Sequence, residues 1–137
     1  MDLYIADDNR AFAEYVAEVA RGEGWSTYIC SHGAELLDAL TVEDGPALLL
    51  IDVNMPVMDG IEVIEGLLNI QRDLCIRFIT GGPDTSALAA RMIANARSIR
   101  TGRFLLKPLS IKALRQVLAE ETKAMRGVRS GGCSGRL

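Results

Sequence analysis

Short apolar runs alternate with helix-spaced patterns along the whole chain. Leu3-Tyr4-Ile5-Ala6 is the first run, and residues 2 to 6 read as a strand. Over residues 9 to 21, Phe12, Tyr15, Val16 and Val19 recur at helical spacing and stop near Gly22 and Gly24. Residues 26 to 30 read as a second strand. Ser31 is the expected cap of a short helix with Leu36, Leu37 and Leu40 on one face. Gly45-Pro46 breaks that helix before the unbroken run Ala47-Leu48-Leu49-Leu50-Ile51. A run so short and so apolar predicts a strand buried on both faces, as in a parallel sheet.

The pattern then repeats. A third helix is expected over 61 to 70, with Ile61, Ile64 and Leu68 in phase. Residues 75 to 80 form a fourth strand, and Asp84 or Thr85 starts a fourth helix. Phe104-Leu105-Leu106 is a short fifth strand. Ser110 caps the last helix, which turns Ile111, Leu114, Val117 and Leu118 inward. Strict alternation of strand and helix predicts an α/β fold, a doubly wound parallel sheet with helices on both faces. The Gly- and Ser-rich residues 126–137 read as a flexible tail beyond one domain at 1–125.

Composition narrows the class. The chain has 137 residues, 49% hydrophobic and 24% charged, which suits one globular domain. Its net charge of −3 argues against general nucleic-acid binding. The N-terminus has no basic leader and no run approaches membrane-spanning length, so the expected location is cytoplasmic. Cys30, Cys75 and Cys133 form no Cys-x-x-Cys pair and are expected to be reduced and structural. Trp25, Met55 and Met58 read as packing residues. His32 is the only histidine and reads as a surface or helix-start residue.

The polar residues that end the apolar runs carry the chemistry. Asp7 and Asp8 end the first, Asp52 the third, Thr80 the fourth and Lys107 the fifth. Open parallel sheets place their ligands at the carboxyl ends of the strands. Three carboxylates gathered there repel one another, and a hard divalent cation relieves the repulsion. Oxygen-only ligands favour Mg2+ (or Mn2+) over zinc, for which no spacing of His and Cys exists. An ammonium and a hydroxyl facing such a site suit a phosphoryl group, with the Asp52 carboxylate as nucleophile.

With these residues in place the chain resembles the receiver domain of two-component response regulators, the CheY-like family. The resemblance covers about residues 2 to 125. It rests on Asp7-Asp8, Asp52 within DVNMPVMDG, Thr80, Phe104 and Lys107-Pro108. It implies a five-stranded sheet in the order 2-1-3-4-5. It implies that Asp8, Asp52 and the main-chain carbonyl of Asn54 hold the metal, with Asp7 acting through water. Gly60 would supply the turn into the third helix, and Lys107-Pro108 would be a cis bond. Thr80 and Phe104 would form the switch, and Asn54 and Gly82 would set the lifetime of the phosphoryl group.

The resemblance further implies a phosphorylation-dependent signalling switch rather than an enzyme, capable only of self-phosphotransfer and self-dephosphorylation. A histidine kinase or histidine phosphotransfer protein would be the donor. An output protein would dock on the fourth helix, fifth strand and last helix, and the chain would be a monomer or a phosphorylation-dependent dimer. The expectation is a single-domain regulator. A receiver piece of a longer regulator or hybrid kinase stays open as the alternative.

Two rivals from other classes fit less well. A Mg2+-dependent phosphohydrolase needs an acid two residues after its nucleophile and a substrate cap, and position 54 is Asn. A dinucleotide-binding domain needs a Gly-rich turn after the first strand, where Asp7-Asp8-Asn9 would repel a pyrophosphate. One departure from the family stands out. Thr80 to Lys107 is a few residues longer than usual, and Arg100 and Thr101 replace a small Gly-Ala-type turn. The extra length is expected to extend the fourth helix or its exit around Asn95 to Thr101. Arg91, Arg97, Arg100 and Arg103 make that segment, 91–103, either a solvated face or a docking patch for an acidic partner.

Overall fold

The computed structural model describes residues 1–53, 60–81 and 99–127. Strand β1 (Asp2–Ala6) pairs in parallel with β2 (Ser26–Cys30) on one side and β3 (Ala47–Asp52) on the other. Strand β4 (Leu74–Thr80) lies beyond β3. Two short pieces, β5 (Arg100–Thr101) and β6 (Leu105–Leu106), share the far edge against β4. The order β2-β1-β3-β4-β5 is the expected 2-1-3-4-5, with the fifth position split in two. The helix expected from Asp84 or Thr85 lies outside the described residues, as do Met55, Met58, Arg91, Arg97 and Cys133. No helix among the described residues is long and apolar enough to cross a membrane.

Helices α1 (Arg10–Gly22), α2 (Gly33–Leu40), α3 (Gly60–Leu68) and α4 (Ile111–Gly127) cover the sheet. The two-residue repeat of β3 explains the layering. Ala47, Leu49 and Ile51 pack with Leu36, Leu40, Val63, Ile64 and Leu67 under α2 and α3. Leu48 and Leu50 pack with Val16, Ala17, Trp25, Leu114 and Leu118 under α1 and α4. Every residue of β3 is buried, and each such Leu or Ile contributes about 1.5–3 kcal/mol.

Most expected inward positions are buried, Ile64, Leu114, Val117 and Leu118 among them, with two departures. Leu68 and Ile111, expected inward, are exposed, and Leu67 and Val63 take the inward positions of α3. The α2 cap is His32 rather than Ser31. The His32 ring nitrogen accepts from the Glu35 N–H at 3.2 Å, while the Glu35 carboxylate accepts from the Ser31 N–H. This reciprocal arrangement has the logic of a capping box. Ser110 caps α4 as expected, its hydroxyl accepting from the Ala113 N–H at 3.1 Å. Helix α4 continues to Gly127. At the amino-terminal edge of the sheet, Arg72 bonds Asp2 (3.0 Å), the Tyr4 hydroxyl (2.9 Å) and the Gly45 carbonyl (2.9 Å).

The far edge carries a one-residue bulge. Arg100 and Thr101 pair with Cys75 and Ile76, an offset of 25. Leu105 and Leu106 pair with Ile79 and Thr80, an offset of 26. The residue gained falls within Gly102-Arg103-Phe104, so Arg100 and Thr101 are strand and not helix exit. Arg100 of the basic segment is ion-paired to Asp73.

Gly102 sits where the bulge meets the Arg77 side chain. A Cβ there would lie 2.4 Å from Arg77 Cδ. Arg77 has little room to yield, because its guanidinium is buried and held 2.7 Å from the Glu121 carboxylate of α4. Gly102→Val is therefore expected to destabilise the protein by about 1–3 kcal/mol, read as a lower urea midpoint. An unchanged midpoint would show that the edge simply moves aside.

Candidate functional site

The carboxyl ends of β1, β3, β4 and β6 converge on one pocket. Asp7 follows β1, and its N–H donates to the Cys30 carbonyl at 3.0 Å, extending the β1–β2 ladder by one rung. Its Oδ1 accepts from the Asn9 N–H at 2.8 Å, and Asn9 in turn caps α1 by accepting from the Phe12 N–H at 3.1 Å. The acidic turn and the start of α1 are thus one hydrogen-bonded unit. Asp52 ends β3 and is 5% exposed. Asp8 is exposed.

Oxygens of Asp7, Asp8 and Asp52 lie within 4.8 Å of one another. Lys107 faces them, its Nζ 2.9 Å from Asp7 Oδ2 and 3.8 Å from Asp52 Oδ2. Asp7 Oδ2 is buried and takes no hydrogen bond, so the Lys107 ammonium meets it as a charge rather than as an aligned donor. Three carboxylates against one ammonium leave a surplus of negative charge. A buried oxygen without a donor beside an exposed carboxylate suits an oxygen-liking divalent cation. The residues present therefore fit such an ion.

Thr80 is fully buried at the end of β4, and its carbonyl accepts from the Lys107 N–H at 2.9 Å. The Lys107-Pro108 bond is cis, as expected. Phe104 is partly buried against the cluster under α2 and α3, the side that strand alternation assigns to Thr80. The structure thus gathers Asp7, Asp8, Asp52 and Lys107, sets Thr80 on the neighbouring strand, and puts Phe104 on the same side of the sheet. Asn54 and Gly82 lie outside the described residues.

Two aromatic residues of α1 belong to this region, although their spacing alone reads as core. Lys107 Nζ lies 4.5 Å from the centroid of the Phe12 ring. The Tyr15 hydroxyl donates to the Leu109 carbonyl at 2.8 Å. With Gly81, Lys107, Pro108 and Leu109 they line an open groove of about 430 Å3. The signal in the sequence was their position, in the first two turns of the helix leaving the acidic pair.

Cysteine chemistry is remote from the pocket. Burial, and next the charge of Glu35, pushes the Cys30 thiol from 9.0 up to about 11, so it stays protonated at neutral pH. Cys30 is a free thiol as expected, whereas Cys75 is disulfide-bonded rather than reduced.

The response regulator receiver domain model matches residues 3–119. The response regulator MprA of Mycobacterium avium is 32% identical over 114 residues, which cover 83% of this chain and 47% of that protein. MprA of Mycobacterium tuberculosis is 31% identical over 112 residues, covering 82% of this chain and 46% of MprA. The chain therefore spans about half the length of the curated relatives it matches. A CheY-like receiver domain protein from Methanospirillum hungatei superposes with a TM-score of 0.75 at 21% identity, covering 91% of this chain and 95% of that one. Full-length FixJ from B. japonicum gives 0.76 at 22% identity, covering 92% and 59%. At these identities the two structures bear on the fold.

Proposed function

Because this chain belongs to the response regulator receiver domain family, a phosphoacceptor signalling domain, we propose that Asp52 is its phosphoacceptor. The observation that carries this reading is the pocket itself. Three carboxylates lie within 4.8 Å, a buried Asp7 oxygen lacks a donor, and the Lys107 ammonium stands beside them.

The donor is a phosphohistidine of a histidine kinase or histidine phosphotransfer protein. An Asp52 oxygen attacks phosphorus, an O–P bond forms and the N–P bond breaks. The electron pair of the N–P bond returns to the imidazole nitrogen, which takes a proton from solvent. Lys107 neutralises charge on the transferring oxygens. Asp8, Asp52 and the Asn54 carbonyl would hold Mg2+ (or Mn2+), with Asp7 acting through water. Such an ion would supply positive charge for the phosphoryl oxygens beside that of Lys107.

Readout runs through Thr80 and Phe104. The Thr80 hydroxyl donates to a phosphoryl oxygen and moves toward Asp52, and Phe104 turns into the space it leaves. Phosphorylation shifts the population only by its differential interaction with the two arrangements. The output surface takes in the β5–β6 edge and α4, together with the expected fourth helix, which lies outside the described residues. It serves a binding partner rather than catalysis on a separate substrate. The chain works in the cytoplasm as a receiver domain, monomeric or dimerising when phosphorylated. The pocket would act in the same way in a receiver segment of a longer regulator.

The direct test is intact mass after incubation with Mg2+ and acetyl phosphate. A single added phosphoryl group is expected, and chelation of the metal should abolish it. A folded protein that gains none, from acetyl phosphate or from a phosphohistidine donor, would overturn the reading.

A further inference from the structure

Lys107 has more to choose between than its role allows. Its ammonium sits on a four-carbon stem with high rotamer freedom, and its side chain is 23% exposed. It is drawn to Asp7 at 2.9 Å and to Asp52 at 3.8 Å, while the exposed Asp8 adds a third charge nearby. Two carboxylates alone do not define one position for a flexible cation. The third contact is the Phe12 ring, 4.5 Å from Nζ at its centroid.

The contact is built from both ends. Phe12 stands in the first turn of α1, whose start is tied to Asp7 through Asn9. One turn on, Tyr15 holds the Leu109 carbonyl at 2.8 Å, pinning the backbone two residues after Lys107 to the same helix. The Phe12 and Tyr15 rings lie 6.3 Å apart and tilted by 48°, so each limits the other's rotation. Helix α1 thus grips the stem of the lysine loop with one ring and faces its ammonium with the other.

Resting on the function proposed above, we propose that Phe12 is a positioning residue for phosphoryl uptake. Its ring face, braced by Tyr15, holds the Lys107 ammonium over the Asp7–Asp52 carboxylates. An aromatic face attracts a cation electrostatically, and an aliphatic side chain of similar bulk does not.

The test compares Phe12→Leu and Phe12→Trp by the second-order rate of phosphoryl uptake from acetyl phosphate with Mg2+. Phe12→Leu should slow uptake about threefold to thirtyfold, the range open to a partly desolvated cation–π contact. Phe12→Trp should stay within about twofold of wild type. In a Lys107→Ala background, Phe12→Leu should cost nothing further. Wild-type NMR should also show the Lys107 ε-methylene protons moved upfield by the ring current, a shift lost in Phe12→Leu.

A purely structural role predicts otherwise. It gives equal slowing in both backgrounds, and that result overturns the proposal. So does a Phe12→Leu rate equal to wild type in a protein that does take up phosphoryl. A wild-type chain that takes up none overturns the phosphoacceptor reading, and this inference with it.

Discussion

The Asp52→Asn variant is expected to take up no phosphoryl group under conditions that load the wild-type chain to completion. The amide keeps the shape of the carboxylate but has no nucleophilic oxygen of comparable charge, so the loss should be complete rather than partial. The fold should survive, because the substitution removes charge from a pocket where three carboxylates lie within 4.8 Å. Without divalent cation the variant should therefore melt at or above the wild-type temperature. Adding Mg2+ should raise the wild-type melting temperature and move the variant's less, since an ion that binds only the folded state stabilises by mass action. Intact mass reads the first effect and differential scanning calorimetry the second. Undiminished phosphoryl uptake by Asp52→Asn would place the acceptor elsewhere.

Glu121→Leu is expected to produce the largest loss of stability, about 3–5 kcal/mol, because it leaves the Arg77 guanidinium buried without this carboxylate. Both side chains are nearly inaccessible, at 4% and 1%, and their oxygen and nitrogen meet at 2.7 Å. A loss of that size is a large share of the total stability of a domain this small. The double variant Arg77→Met with Glu121→Leu should recover most of it, since two apolar side chains can replace a buried ion pair at little cost. Urea unfolding of the three proteins checks both statements. A double variant no more stable than Glu121→Leu would mean that Arg77 matters through other contacts.

The pair also marks where reading along the chain stopped working. Periodicity found the order of strands and helices, because each buried run in β1, β3 and β4 is long and apolar enough to have one reading. The residues closing those runs located the acidic trio and Lys107 for the same reason: a strand end has a fixed place in a parallel sheet. Arg77 carries no such mark. Within CIRFIT its charge suggests an outward position, and its buried partner Glu121 lies 44 residues on, beyond any local pattern.

Gly102 and the bulge were equally hidden. Arg100 to Leu106 has too few apolar residues for a two-residue repeat, and pairing with β4 overrides it. The α2 cap moved from Ser31 to His32 because a ring nitrogen can accept as a hydroxyl does. The spacing of Phe12 gives only its side of the helix, because periodicity reports which way a side chain faces and not which charge it meets.

The broken edge of the sheet has a consequence for what this protein can stick to. An unpaired strand invites another chain to add itself, and long flat edges are the sites of unwanted sheet growth. Here the β5–β6 side offers at most two consecutive residues of strand before the bulge turns the backbone. An incoming strand would lose register at Gly102. The opposite side is different: β2 presents five residues without interruption. Any strand-to-strand self-association, amyloid-like growth included, should therefore begin at β2 and leave the β5–β6 edge untouched.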